Sequence, residues 1–342
     1  MALLDIRHLT IDIETSNGRV RMIDNINLTL DKNEICGLVG ESGSGKSIIL
    51  RVICGMEKDN WIVKADRFRF DNIELLKLSP YQRRKLIKDD ISMILQNPRE
   101  SLDPSKTIGR QLMDRIHFSG KWWTWFGWKK KKAIELLHRV GIRDHKDIMQ
   151  CYPVDLTSGE AQKIIIAMAV ANKPRLLVAD EPTNMMEPTT ELQIYRLLSS
   201  MNKNLGTSIL LASNDIWAVH KWVDSFNILY CGQNVEIGSK EQIMQNPYHP
   251  YTSALLHSMP DFSSPLPFKG ELNTLRGATP TLSHIYKGCR LGKRCHFAQK
   301  KCIVKPPLYK VKQREFACYY PLNYQKSGQL KSAEIDPILL NY

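Results

Sequence analysis

The run Gly40-Glu41-Ser42-Gly43-Ser44-Gly45-Lys46-Ser47 limits what this chain can fold into more than any other stretch. It has the form G-x-x-x-x-G-K-S. A short apolar run, Ile35-Cys36-Gly37-Leu38-Val39, precedes it and reads as a buried strand. Residues 47–54 follow and read as a helix stopped by Gly55. A strand, a glycine loop and a helix in this order aim backbone N–H groups and the positive end of a helix dipole at one point. Polyphosphate fits there. Gly40, Gly43 and Gly45 let the backbone come close, and Ser42 and Ser44 belong to the same cradle. Lys46 would reach the β- and γ-phosphates, and the Ser47 hydroxyl would ligate Mg²⁺.

The surrounding chain suits a parallel α/β fold. Leu9, Ile11 and Ile13 alternate with polar residues, as do Ile26, Leu28 and Leu30, on either side of a turn at Ser16-Asn17-Gly18. A second alternation puts Phe68 and Phe70 on one face, and Ser79-Pro80 reads as a helix start. Ile91-Ser92-Met93-Ile94-Leu95 reads as a strand that ends at Gln96, which can ligate Mg²⁺ or hold the attacking water. The apolar run ending in Asp180-Glu181-Pro182 offers one carboxylate to the metal shell (Asp180) and one to polarise water (Glu181). Another strand, residues 208–213, ends at Asn214. Enzymes built on parallel sheets place their chemistry outside the carboxyl ends of strands. Gln96, Asp180, Glu181, Asn214 and the phosphate loop all follow predicted strands, which points to nucleoside triphosphate hydrolysis.

Two stretches admit two readings each. Leu156-Thr157-Ser158-Gly159-Glu160 begins a helix, where it is either an anion site or an ordinary capping box of Thr157 with Glu160. Within the helical region 101–150, Lys121-Trp122-Trp123-Thr124-Trp125-Phe126-Gly127-Trp128 precedes Lys129 to Lys132. That stretch is either an interfacial surface or an internally packed helix pair.

The chain of 342 residues has room for about two domains. The N-terminus has no export-signal pattern, and the longest apolar run is far short of the ~20 residues a membrane span needs. A cytoplasmic protein is expected. The net charge of +13 gathers in residues 121–143 and 287–314, neither of which carries a nucleic-acid-binding pattern. It reads as a basic surface near a membrane, with no nucleic-acid partner. Four of the eight cysteines, Cys289, Cys295, Cys302 and Cys318, have the spacing C-x5-C-x6-C-x15-C. Such a set suits a structural zinc or an iron–sulfur cluster, or it is four unrelated buried thiols. The lack of C-x2-C pairs favours iron–sulfur. Cys36, Cys54, Cys151 and Cys231 are scattered and read as packing residues.

Taken together, the phosphate loop, Gln96, residues 156–160 and Leu177-Val178-Ala179-Asp180-Glu181 resemble the ATPases of ABC transporters, in order and spacing, over residues 4–245. From Asn246-Pro247-Tyr248-His249-Pro250-Tyr251 onward the chain resembles the extension of dipeptide and oligopeptide importer ATPases. The resemblance implies a P-loop NTPase with a β-subdomain, a RecA-like core and a helical subdomain at about 100–157, all within residues 1–245. A small irregular cysteine-containing domain would span 246–324, with a flexible tail over 325–342.

It also implies that ATP lies between this chain's loop and the signature segment of a second cassette ATPase in a heterodimer. Thr157, Ser158 and Gly159 would serve the partner's nucleotide in the same way. Two transmembrane permease subunits and a periplasmic peptide-binding protein are implied, at the cytoplasmic face of a bacterial inner membrane. The four cysteines would hold a [4Fe-4S] cluster.

Three departures from the family pattern matter. Asn214 stands where the family has a switch histidine, and asparagine takes up no proton near neutral pH. Ser158 and Glu160 replace a glycine and a glutamine of the signature. No aromatic residue stands in 11–34 to stack on adenine, which leaves Val20 or Arg21 to cover the base. The expectation is an ATPase subunit of a peptide importer, with slow hydrolysis at its own site. A regulatory ATP-binding subunit is the alternative.

Overall fold

The structure, a computed structural model, describes residues 2–16, 18–117, 125–184, 186–258, 275, 277, 280 and 287–324. Two sheets share the work of burial. The smaller begins with the antiparallel hairpin of β1 (Ala2–Thr15) and β2 (Gly18–Asp31). β4 (Trp61–Lys64) and β5 (Arg67–Phe70) each pair with β1, and β6 (Ile73–Glu74) closes the edge. Leu4, Ile6, Leu9, Ile11, Phe68 and Phe70 lie inside, all without exposed surface; the register shift between Ile6 and Leu9, at His8 with φ 52°, keeps both halves of β1 facing the core.

Among the described residues the larger sheet has eight strands. Its parallel part is β10 (Ser225–Tyr230), β3 (Ile35–Val39), β9 (Ser208–Ser213), β8 (Leu176–Asp180) and β7 (Ile91–Ile94), in that spatial order. β11 (Gln233–Ser239) joins antiparallel to β10. The cysteine-bearing part then adds β13 (Arg314–Phe316) and β12 (Tyr309–Val311) to the same sheet.

Every residue of β3, β8 and β9 is buried, because both faces of these strands are covered. Alternate side chains serve different cores. Leu176, Val178, Leu210 and Ala212 pack with β1, β2 and α1 (Lys46–Ile53). Leu177, Ala179, Ile209 and Leu211 pack on the other side, against α6 (Ser158–Val170), α7 (Pro188–Leu205) and the helical region. That region holds α3 (Ile108–Arg115), α4 (Trp125–Arg139) and α5 (His145–Ile148). The helix expected at Ser79-Pro80 is α2 (Pro80–Asp90). Its Ser79 cap accepts a hydrogen bond from the Gln82 backbone at 3.3 Å.

Three shorter helices follow: α8 (Ile216–Val219), α9 (Lys240–Gln245) and α10 (Pro250–His257). Much of the tryptophan–lysine stretch, and the tail from 325, lie outside the described residues. Among the described residues, no helix is long and apolar enough to cross a membrane. Cys36, Cys54 and Cys231 are buried packing residues, with burial pushing the first two thiols up to about 12. Cys151 is half-buried.

Candidate functional site

Parallel strands share a direction, so their carboxyl ends lie along one edge of the sheet. β3 runs into the phosphate loop, β7 towards Gln96, β8 into Asp180-Glu181 and β9 towards Asn214. The loop is bound tightly to that edge. Gly40 N–H donates to the Ser213 carbonyl at 3.3 Å, and Gly232 N–H donates to the Ser44 carbonyl at 2.8 Å. A methyl on Gly40 would sit 2.1 Å from the Leu229 carbonyl oxygen, so backbone meets backbone there. Gly45 has φ 101°, and a methyl on it would strike Ile23 at 2.4 Å. β2 thus closes over the loop from the smaller sheet.

Lys46 is the hub, 3% exposed. Its ammonium donates to the Gly40 carbonyl at 2.7 Å, the Glu41 carbonyl at 3.2 Å and Asn214 Oδ1 at 2.6 Å. Lysine is donor-only, so Asn214 must turn its oxygen towards it. Glu181 Oε1 lies 3.8 Å from the same nitrogen, and Gln96 Nε2 donates to Glu181 Oε2 at 2.9 Å. Burial lowers the Lys46 pKa, and the charges of Glu181 and Asp180 oppose that shift.

Asp180 is 4% exposed. Burial raises its pKa against the Ser47 hydroxyl and the Lys46 charge. Its Oδ1 is buried with no hydrogen-bond partner among the described residues. A buried carboxylate oxygen left open beside a serine hydroxyl and an ammonium suits a hard divalent cation. Glu181 has φ 45°, in the left-handed region that non-glycine residues rarely adopt. Such strain collects at functional sites.

Gln96, Lys46, Asp180, Glu181 and Asn214 therefore meet at one place. Thr157, Ser158 and Gly159 stand instead at the start of α6. There Thr157 Oγ1 accepts from Glu160 N–H at 3.2 Å, and Glu160 Oε2 accepts from Thr157 N–H at 2.9 Å. The capping-box reading of these residues holds, and a helix N-terminus is also a place for an anion. Arg21 is half-exposed. Its guanidinium holds the buried Asp12 at 2.9 Å and approaches Asp24 at 3.9 Å.

Cys289, Cys295, Cys302 and Cys318 line a single pocket with His249, Leu291, Phe297 and Tyr319. Burial pushes Cys295 and Cys318 up to about 12, and each feels the charge of the other cysteines. His249 is committed elsewhere: its Nδ1 accepts from Tyr251 N–H at 3.1 Å, and its ring also bonds the Ala317 backbone. The donor set is thus four thiols, which suits zinc or iron–sulfur. The thiols share the pocket without being drawn together, since among the described residues no three His, Cys, Asp or Glu side chains are gathered as a metal site.

Residues 246–251, a boundary by sequence, also reach the phosphate loop, which their local pattern does not reveal. Tyr251 OH accepts from the Glu41 N–H of the phosphate loop at 2.8 Å. Arg294, beside Cys295, also contacts Glu41.

Residues 23–184 match the ABC transporter family, and residues 235–302 match the oligopeptide/dipeptide transporter C-terminal region. The chain is 58% identical to the peptide transport system ATP-binding protein SapD of Haemophilus influenzae, over 100% of this chain and 99% of that one. It is 37% identical to the dipeptide transport ATP-binding protein DppD of the same organism, over 95% and 97% of the two chains. The ATP-binding cassette MJ0796, solved as a post-hydrolysis dimer bound to ADP and Pi, superposes with a TM-score of 0.60 at 22% identity. That likeness covers 69% of this chain and 98% of the cassette. The chain belongs to the ABC transporter ATPases, in the group that carries the oligopeptide/dipeptide transporter C-terminal region.

Proposed function

We propose that this chain is the SapD-like ATPase subunit of a peptide importer of the kind linked to antimicrobial-peptide resistance. It binds ATP at Gly40, Ser42, Gly43, Ser44, Gly45, Lys46 and Ser47. A SapF-like chain completes the site as a heterodimer partner, and Thr157, Ser158 and Gly159 complete the partner's. Two permease subunits take up the motion of closing and reopening, and a periplasmic peptide-binding protein delivers cargo to them. The assembly places this chain peripherally on the cytoplasmic face of the inner membrane. The observation that carries this reading is the convergence of Lys46, Gln96, Glu181 and Asn214 beside the open oxygen of Asp180.

The residues have distinct tasks. Lys46 trades its carbonyl and amide partners for phosphate oxygens. Ser47, Gln96 and Asp180 would hold Mg²⁺, which neutralises phosphate charge when bound. Glu181 orients and polarises the attacking water, and Gln96 keeps that carboxylate aimed. Replacing Glu181 with Gln should cut turnover of the assembled complex by about 10²-fold or more. Unchanged turnover would leave only the second reading, a regulatory subunit whose partner does most of the hydrolysis. That reading draws on Asn214, which orients a phosphate but accepts no proton. It draws also on Glu160, whose carboxylate occupies the Thr157 hydroxyl at 2.7 Å.

Cys289, Cys295, Cys302 and Cys318 are proposed to hold a [4Fe-4S] cluster, since the pocket offers four thiols and its histidine is committed. Iron and sulfide analysis after anaerobic purification tests this. One zinc per chain without iron would refute it.

A further inference from the structure

The phosphate loop carries an acidic side chain, Glu41, where a triphosphate is to bind. The chain answers it from 253 residues away. Arg294 grips the Glu41 carboxylate with both arms of its guanidinium: Nη1 donates to Oε2 at 2.7 Å and Nη2 to Oε1 at 3.1 Å. A two-point fork of this kind is the strongest way for a protein to fix and neutralise a carboxylate. The arginine is 10% exposed. Its Nη1 also donates to the Tyr230 hydroxyl at 3.1 Å. Tyr230 packs on Tyr251 with ring centroids 4.7 Å apart, and Tyr251 in turn takes the Glu41 N–H.

Glu41 matters to the rest of the loop. Its carbonyl accepts from Lys46 Nζ at 3.2 Å and from Ser44 N–H at 3.1 Å. Whatever moves Glu41 moves the lysine and the turn that face the phosphates. The other end of this connection is the cysteine pocket. Arg294 immediately precedes Cys295, and a short turn from Gly292 to Arg294 separates it from the residues after Cys289. Arg290, next to Cys289, donates to the Cys231 carbonyl and pairs with Asp24 at 3.3 Å, and so fixes the same segment against β2.

We propose that Arg294 is a positioning residue for nucleotide binding: it neutralises Glu41, keeps the phosphate loop receptive to polyphosphate, and makes nucleotide affinity depend on the integrity of the cysteine pocket. The pocket holds Arg294 in place through Cys295, and Arg294 holds the loop through Glu41. Without the arginine, Glu41 loses the two-point contact that offsets its charge, and its carboxylate repels the phosphates more strongly.

The inference rests on reading Gly40–Ser47 as the nucleotide site, and the test separates the two. MgATP is titrated calorimetrically against the full chain, purified anaerobically, and against Arg294→Gln, Glu41→Gln/Arg294→Gln and Cys295→Ser, alone and in the double background. Absence of MgATP binding by the parent chain would sink the nucleotide reading itself. If the parent binds, Arg294→Gln should weaken affinity about tenfold, as expected for uncovering one charge next to a ligand of the same sign. The double variant should recover to within about threefold of the parent, because no charge is left exposed. Cys295→Ser should weaken MgATP binding in the parent and have little effect in the double background.

Arg294→Gln with affinity unchanged within twofold would overturn the proposal. So would equal losses in the single and double variants, which mark a merely structural role. A Cys295→Ser effect of the same size in both backgrounds would overturn the link to the pocket. Cys318→Ser probes that link from the far side of the pocket should Cys295→Ser not fold.

Discussion

Asn214 receives the ammonium of Lys46 at 2.6 Å and can do little more than orient it. A histidine there would add a group that exchanges protons near neutral pH. Asn214→His should therefore raise turnover of the assembled complex by about tenfold, a fraction of the range that general acid–base groups command. The gain should fade as pH falls through the histidine's own range near 6.5, where the imidazolium opposes Lys46. Single-turnover hydrolysis at pH 6 and 8 checks both statements, and no gain at either pH would count against a role for this position. Glu181 is the complementary case. Its φ of 45° is adopted although Pro182 follows, and its N–H bond to the Ala212 carbonyl at 3.1 Å fixes it there. The sequence showed that a carboxylate follows β8. It did not show the backbone twist that aims it, because that twist is imposed by β9 alongside.

At the scale of elements, what is local was legible and what is distant was not. The strand–loop–helix unit of β3 and α1 and the Ser79 and Thr157 caps follow from neighbours within a turn or a pleat. The attachment of β13 to β11 could not be read, since it depends on a buried pair far apart in sequence. Arg314 Nε donates to Glu236 Oε1 at 3.0 Å, and the two side chains are 4% and 0% exposed. Glu236 also accepts from the N–H groups of Tyr248 and His249 at 2.8 and 3.1 Å. Arg314→Met would strand a buried carboxylate and should destabilise the chain by about 3–5 kcal/mol. Adding Glu236→Gln should recover part of that loss. Urea unfolding of both variants measures it, and a cost below about 1 kcal/mol for the single change would contradict this account of the attachment.

Across the described residues, contacts that fasten the cysteine-bearing segment to the nucleotide-binding part include Arg314 on β11, Arg294 on the phosphate loop, and Arg290 and Lys305 on Asp24 of β2. Asp24 accepts from Lys305 at 2.7 Å and from Gln233 at 2.7 Å, and pairs with Arg290 at 3.3 Å. Burial alone would raise its pKa, yet these partners together hold it below the ordinary carboxylate value of 3.8. A depressed carboxyl contributes stability that is complete above its unfolded pKa and is lost as pH falls through the lower folded one. The thermal midpoint of the parent should thus drop more steeply below about pH 4 than that of Asp24→Asn. Equal slopes would show that this contact carries no charge-dependent stability.

The Arg294 fastening and the edge that gathers Gln96, Asp180, Glu181 and Asn214 meet at the loop around Lys46. The most direct measurement is the MgATP affinity of the full chain compared with Lys46→Ala. Removing this ammonium should weaken binding by about 10²-fold or more, because a buried charge-assisted contact to phosphate is lost while Glu181 and Asp180 stay unopposed. Equal affinities for the two proteins would contradict the assignment of this site.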